Sequence, residues 1–163
     1  MPKYDKVYRQ LYLYELIHTS QEVTMGEMMK KQRVCQKTIK RDITDLTDAG
    51  LIRLEYNRKD NVYSSLGGSD VVNAKEGTVR YLYLQKLRRL AIFLDELTDA
   101  EWSCDDDYNC KERYLELFPR VSERTRFRDY KILSDIGFAI RWDAYDKCHR
   151  IGKFYDIHDD EEF

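Results

Sequence analysis

From Tyr4 to His18 the chain sets Val7, Leu11, Leu13, Leu16 and Ile17 among Tyr8, Tyr12 and Tyr14. That near-helical spacing predicts an amphipathic helix with a broad apolar face, the tyrosines serving as core and rim packing. Thr19-Ser20-Gln21-Glu22 breaks the pattern. Thr24 then stands as an N-cap with Glu27 three residues on, the spacing of a capping box, and Met28 and Met29 supply apolar contacts for a second short helix. After a polar turn containing Gln32 and Arg33, Ile39, Ile43 and Leu46 recur at i, i+4 and i+7. They predict a third helix that turns Gln36, Lys37, Lys40 and Thr44 away from the core and ends at Gly50, where a residue without Cβ adopts the left-handed conformation at no steric cost. Leu51–Tyr56, the polar tip Asn57–Asn61 and Val62-Tyr63 read as strand, turn, strand.

The third-helix stretch occurs twice. At a constant offset of 87, Val34, Thr38, Arg41, Asp42, Leu46, Asp48 and Gly50 recur unchanged as Val121, Thr125, Arg128, Asp129, Leu133, Asp135 and Gly137. Ile140-Arg141-Trp142-Asp143 answers Ile52-Arg53-Leu54-Glu55, with a second tip at Tyr145–Arg150. The fold class expected is therefore mainly α with small β-hairpins, in two tandem units. Unit one covers residues 1–66, a glycine-containing linker 67–78, and unit two 79–155. In unit two, Leu84, Leu87, Ala91, Leu94 and Leu97 mark a long helix that can begin as early as Val79. An acidic insertion, 99–110, follows. Tyr114, Leu115, Leu117 and Phe118 form a short second helix stopped by Pro119, and residues 156–163 form a solvated acidic tail.

Charge alters the picture through its distribution. The 163 residues carry a net charge of −2 with a pI near 6.0, which by itself speaks against a nucleic-acid partner. Yet Lys30, Lys31, Arg33, Lys37, Lys40 and Arg41 follow one another with no acid among them, and Arg120, Arg124, Arg126, Arg128 and Lys131 accompany the second copy. The acids gather in Asp105-Asp106-Asp107 and the tail, so an acidic protein can keep two basic faces. No apolar run approaches the ~20 residues that span a bilayer, and the start leads straight into amphipathic sequence, so a cytoplasmic location is expected. The four cysteines lack CxxC spacing and read as reduced thiols, with zinc ligation by Cys104, Cys110, Cys148 and His149 as the alternative. Neither a nucleophile elbow nor a phosphate-cradling glycine loop is present, and His18, His149 and His158 lack partners at catalytic spacing, so no enzymatic activity and no cofactor are expected.

Val121-Ser122-Glu123-Arg124-Thr125-Arg126-Phe127-Arg128-Asp129, followed by Leu133-Ser134-Asp135-Ile136-Gly137, resembles the winged helix-turn-helix of DeoR-like and YafY-like bacterial repressors, including the DNA-binding domains of WYL-domain regulators. Unit one carries the same pattern in Thr38-Ile39-Lys40-Arg41-Asp42 and Leu46–Leu51. The resemblance implies sequence-specific binding of double-stranded DNA and transcription control, expected as repression, with the third helix in the major groove. Carried over by position, Gln36, Lys37 and Lys40, matched by Glu123, Arg124 and Phe127, face base edges or nearby phosphates. Thr38 and Arg41, matched by Thr125 and Arg128, sit on the backbone, with Ser122 capping the second helix. Arg58, Lys59 and Lys147 at the ribbon tips are either phosphate-contacting wings or ordinary polar turns. The sequence departs from the family at Cys35, which replaces a capping Ser, and at Arg126, which replaces a buried Ile. The latter predicts that the second recognition helix rotates toward Phe127 or packs less well. No small-molecule effector domain is recognisable. One chain covers two half-sites about 34 Å apart, or dimerises through one unit and reads with the other. The alternative is a winged-helix protein-interaction or scaffold module working through its acidic surface.

Overall fold

A computed structural model describes residues 6–102, 109–137, 140–143 and 148–151. The second ribbon tip with Lys147, the tail 156–163, Cys104 and the Asp105–Asp107 run lie outside the described residues. The chain divides into two compact units, Met1–Ala91 and Ile92–Phe163. The described residues are mainly helical with two small antiparallel sheets, and no helix among them is long and apolar enough to cross a membrane.

In the first unit, α1 (Lys6–Thr19) buries Val7, Leu11, Leu13, Tyr14 and Ile17. After the two-residue strand β1 (Glu22–Val23), α2 (Met25–Gln32) opens on the predicted capping box. The Glu27 amide donates to Thr24 Oγ1 at 3.1 Å and the Thr24 amide donates to Glu27 Oε2 at 2.8 Å, so two otherwise orphaned first-turn amides are satisfied. Met28 is fully buried beneath this turn. Helix α3 (Gln36–Asp48) buries Ile39 and Leu46, while Ile43 is half-buried. Its N-cap, Cys35, makes no side-chain cap bond.

A ribbon follows, β2 (Leu54–Asn57) against β3 (Val62–Ser65), with Tyr56 opposite Tyr63 and their rings 4.8 Å apart. The polar break before Thr24 turns out to be structural, because β1 pairs with β3 through Glu22↔Ser64 and Val23↔Tyr63. Val23 and Ile52 are buried there.

The predicted linker is folded onto the end of α3. The Asn73 amide donates to the Asp48 carbonyl at 2.7 Å and the Asp70 amide to the Gly50 carbonyl at 3.3 Å. Gly50 has φ +75°, and a Cβ there would lie 2.6 Å from the Val71 carbonyl oxygen. Close approach of two backbones, as well as the helix ending, therefore calls for glycine at this position.

The long helix α4 (Val79–Trp102) reaches back to Val79, and the division between the units falls within it. Its Leu84, Leu87 and Leu90 are buried. In the second unit Phe93, Leu94 and Leu97 of α4 are buried, as are Tyr114 on α5 (Cys110–Leu117) and Tyr130, Leu133 and Ile136 on α6 (Glu123–Ile136). The Phe93 and Tyr114 rings meet edge to face at 5.3 Å. Arg113 grips Glu96 through two bonds of 2.8 Å. Asn109 caps α5 by accepting from the Lys111 and Glu112 amides, and α6 ends at Gly137. The second ribbon pairs β4 (Ile140–Asp143) with β5 (Cys148–Ile151), from Ile140↔Ile151 to Asp143↔Cys148.

Candidate nucleic-acid interface

Helix α3 sorts its charges by sign. Its three acids face inward or sideways and are paired. Asp42, with no exposure, accepts from Arg9 Nε at 2.6 Å, Arg9 Nη2 at 2.9 Å and Gln10 Nε2 at 3.0 Å. Asp45 meets Lys6 Nζ at 2.7 Å, Gln10 Nε2 at 2.8 Å and Arg80 Nη1 at 3.0 Å. Asp48 takes Arg80 Nη2 at 2.7 Å. Gln10 is itself held, its Oε1 accepting from the Tyr83 hydroxyl. Burial alone pushes the Asp45 carboxyl up, but hydrogen bonds from Lys6, Gln10 and Arg80 prevail and hold it below the ordinary carboxylate range. The Asp42 hydrogen bond holds the Arg9 guanidinium more firmly charged than usual.

With the acids engaged inside, the outer stripe of α3 is Gln36, Lys37, Lys40, Arg41 and Thr44, all exposed and lining one open surface concavity of 390 Å³. None of these five side chains forms an ion pair with another described residue. Thr38 is half-buried at the helix start, its Oγ1 3.5 Å from Cys35 Sγ. The Thr38 hydroxyl and first-turn amides lower the pKa of this exposed thiol.

The second unit carries the same stripe at matched positions. Glu123, Arg124, Phe127, Arg128 and Lys131 of α6 line a 500 Å³ surface concavity, each 87 residues after its counterpart. Exposure also repeats position by position through the first turns, with Ile39 and Asp42 buried in one copy and Arg126 and Asp129 in the other. Asp129 accepts from the Tyr114 hydroxyl at 2.6 Å, taking the inward role of Asp42 with a different donor. Ser122 is the N-cap, its Oγ accepting from the Thr125 amide at 3.3 Å and lying 3.1 Å from Thr125 Oγ1. These two hydroxyls are thus committed to the helix start.

Arg126 resolves the alternative left by the sequence: α6 does not rotate. Arg126 stays inside at 4% exposure and Phe127 faces out at 44%. Burying the guanidinium leaves its Nε without a hydrogen-bond partner among the described residues.

The structure therefore gathers Gln36, Lys37, Lys40 and Arg41 on one face, and Arg124, Phe127 and Arg128 on another, while Thr38, Ser122 and Thr125 stand at the helix starts. Arg58 and Lys59 occupy a different element, the tip of the first ribbon, where both are exposed. That turn is braced by the Asn57 side chain, which accepts from the Lys59 amide at 3.0 Å and donates to Asp60 at 2.9 Å. Thr44 and Lys131 were not among the expected contact residues. Their signal was already legible, since each lies four residues beyond Lys40 or Phe127 on the same stripe. Among the described residues no three His, Cys, Asp or Glu side chains converge as a metal site, and Cys110 is buried. Comparison with protein-family models, curated proteins and solved structures found no match.

Proposed function

We propose that this protein is a sequence-specific double-stranded DNA-binding regulator of transcription, built from tandem winged helix-turn-helix units and acting in the cytoplasm as a repressor. In this reading α3 enters the major groove. The observation that carries it is the sorting of charge on α3. Asp42, Asp45 and Asp48 are neutralised by Lys6, Arg9, Gln10 and Arg80, while an amide, two ammonium groups and a guanidinium share the outer stripe. A helix surface with that inventory suits an anionic duplex, the amide and cations bonding purine edges and the remaining cations bonding phosphates.

The test is selection from a random-sequence duplex pool by the full chain at two salt concentrations. A motif is expected to enrich, with affinity falling steeply as salt rises and counterions are released. Replacing Lys37 and Lys40 together by Ala should weaken binding more than Arg124→Ala does, and should flatten the logarithmic salt slope by up to roughly 2, about 0.9 per lost phosphate contact. Unchanged affinity in the double variant would sink the assignment of the α3 face.

A further inference from the structure

We propose, resting on the DNA-binding reading above, that α6 reads pyrimidine edges where α3 reads purine edges, so that one chain recognises two dissimilar half-sites. Five positions form each stripe. Two of them keep a cation in both copies, Lys37 with Arg124 and Arg41 with Arg128. A cation retained in both fits the phosphate backbone, which is the same everywhere. Chemistry changes at two positions nearest the helix start, from Gln36 to Glu123 and from Lys40 to Phe127. Gln36 can both donate to and accept from an adenine edge, and Lys40 donates to guanine O6 and N7. A carboxylate can only accept, and in the major groove the exocyclic amine of cytosine is a donor it can accept from. An exposed phenyl ring fits the thymine methyl.

The core beneath the second stripe supports the same conclusion. Where α3 buries Ile39, α6 buries Arg126, and its Nη2 lies 3.5 Å from Glu123 Oε1 while its guanidinium carbon lies 5.2 Å from the centre of the Phe127 ring. A buried guanidinium with an unsatisfied Nε is less favourable than the isoleucine of the other copy. Its partners are the two groups that distinguish the α6 stripe. Arg126 is thus a positioning residue. It fixes the carboxylate and the ring, and its charge offsets the repulsion between Glu123 and phosphate.

The test uses the full chain and a random-duplex pool at low salt. Wild type should enrich two unlike half-sites, one of them containing cytosine and thymine. Glu123→Gln should lower the preference for that cytosine about 10- to 100-fold, the discrimination of one good base contact. Glu123→Gln with Phe127→Lys, which copies Gln36 and Lys40, should convert this half-site toward the other and leave the other unchanged. Both positions are exposed, so the fold is retained. Arg126→Ile, which copies Ile39, should keep or raise the unfolding midpoint yet lose part of the cytosine preference, an effect that a purely structural arginine would not have. Two identical half-sites, or a motif governed by α3 alone, would overturn this inference and leave the DNA-binding reading intact. No enrichment by wild type at low salt would overturn both.

Discussion

Asp42 is fully buried and held by three hydrogen bonds from Arg9 and Gln10, which makes it the residue on which the orientation of α3 most depends. Asp42→Ala leaves a guanidinium and an amide facing an apolar gap, and should cost roughly 2–4 kcal/mol in denaturant unfolding. Asp45 adds a pH dependence. Its pKa is lower in the folded than in the unfolded chain, so its stabilising contribution is complete above the ordinary carboxylate value near pH 4 and is lost as pH falls through the folded value. Unfolding midpoints should therefore decline on acidification below about pH 4, and Asp45→Asn should flatten that decline. At the N-cap, Cys35→Ser supplies the hydroxyl acceptor that the first-turn amides of α3 lack, and should raise the unfolding midpoint. The exposed Cys35 thiol, lowered by Thr38, should be alkylated by iodoacetamide well before the buried Cys110.

At the scale of elements, α3 and α6 present the same arrangement of inner and outer positions with different contents. Ile39 answers Arg126 inside, and Lys40 answers Phe127 outside. The termination of α3 is equally specific. Gly50→Ala meets both a positive φ and the Val71 backbone, whereas Gly77→Ala meets a positive φ of +79° with nothing within 4 Å. Gly50→Ala should cost roughly 2–3 kcal/mol and Gly77→Ala about 1, both measurable by denaturant titration. Equal costs would mean that the 68–73 segment yields freely. Much of this was legible because its causes are local: the capping box at Thr24 and Glu27, the i, i+4, i+7 apolar stripe and the closing glycine each act within a turn or two of chain. The pairing of β1 with β3 was not, since Glu22 finds Ser64 across 42 residues and no local pattern announces that partner.

For the whole molecule, a net charge of −2 hides two stripes that carry cations outward. Nucleic-acid affinity should therefore depend on these faces and on ionic strength rather than on net charge. The sequence by itself determined the helix periods, the caps, the internal repeat and the outward set Gln36, Lys37 and Lys40, because each follows from the spacing of side chains along a single element. Only the tertiary structure decided what neutralises the acids of α3, how the 68–73 segment closes over Gly50, and that Arg126 is buried while Phe127 faces out. Those outcomes depend on partners as far apart in the chain as Arg9 and Asp42 or Asp45 and Arg80. Which of several lysines and arginines reaches a given carboxylate is settled by packing geometry, since the charges alone are equally suited to many pairings.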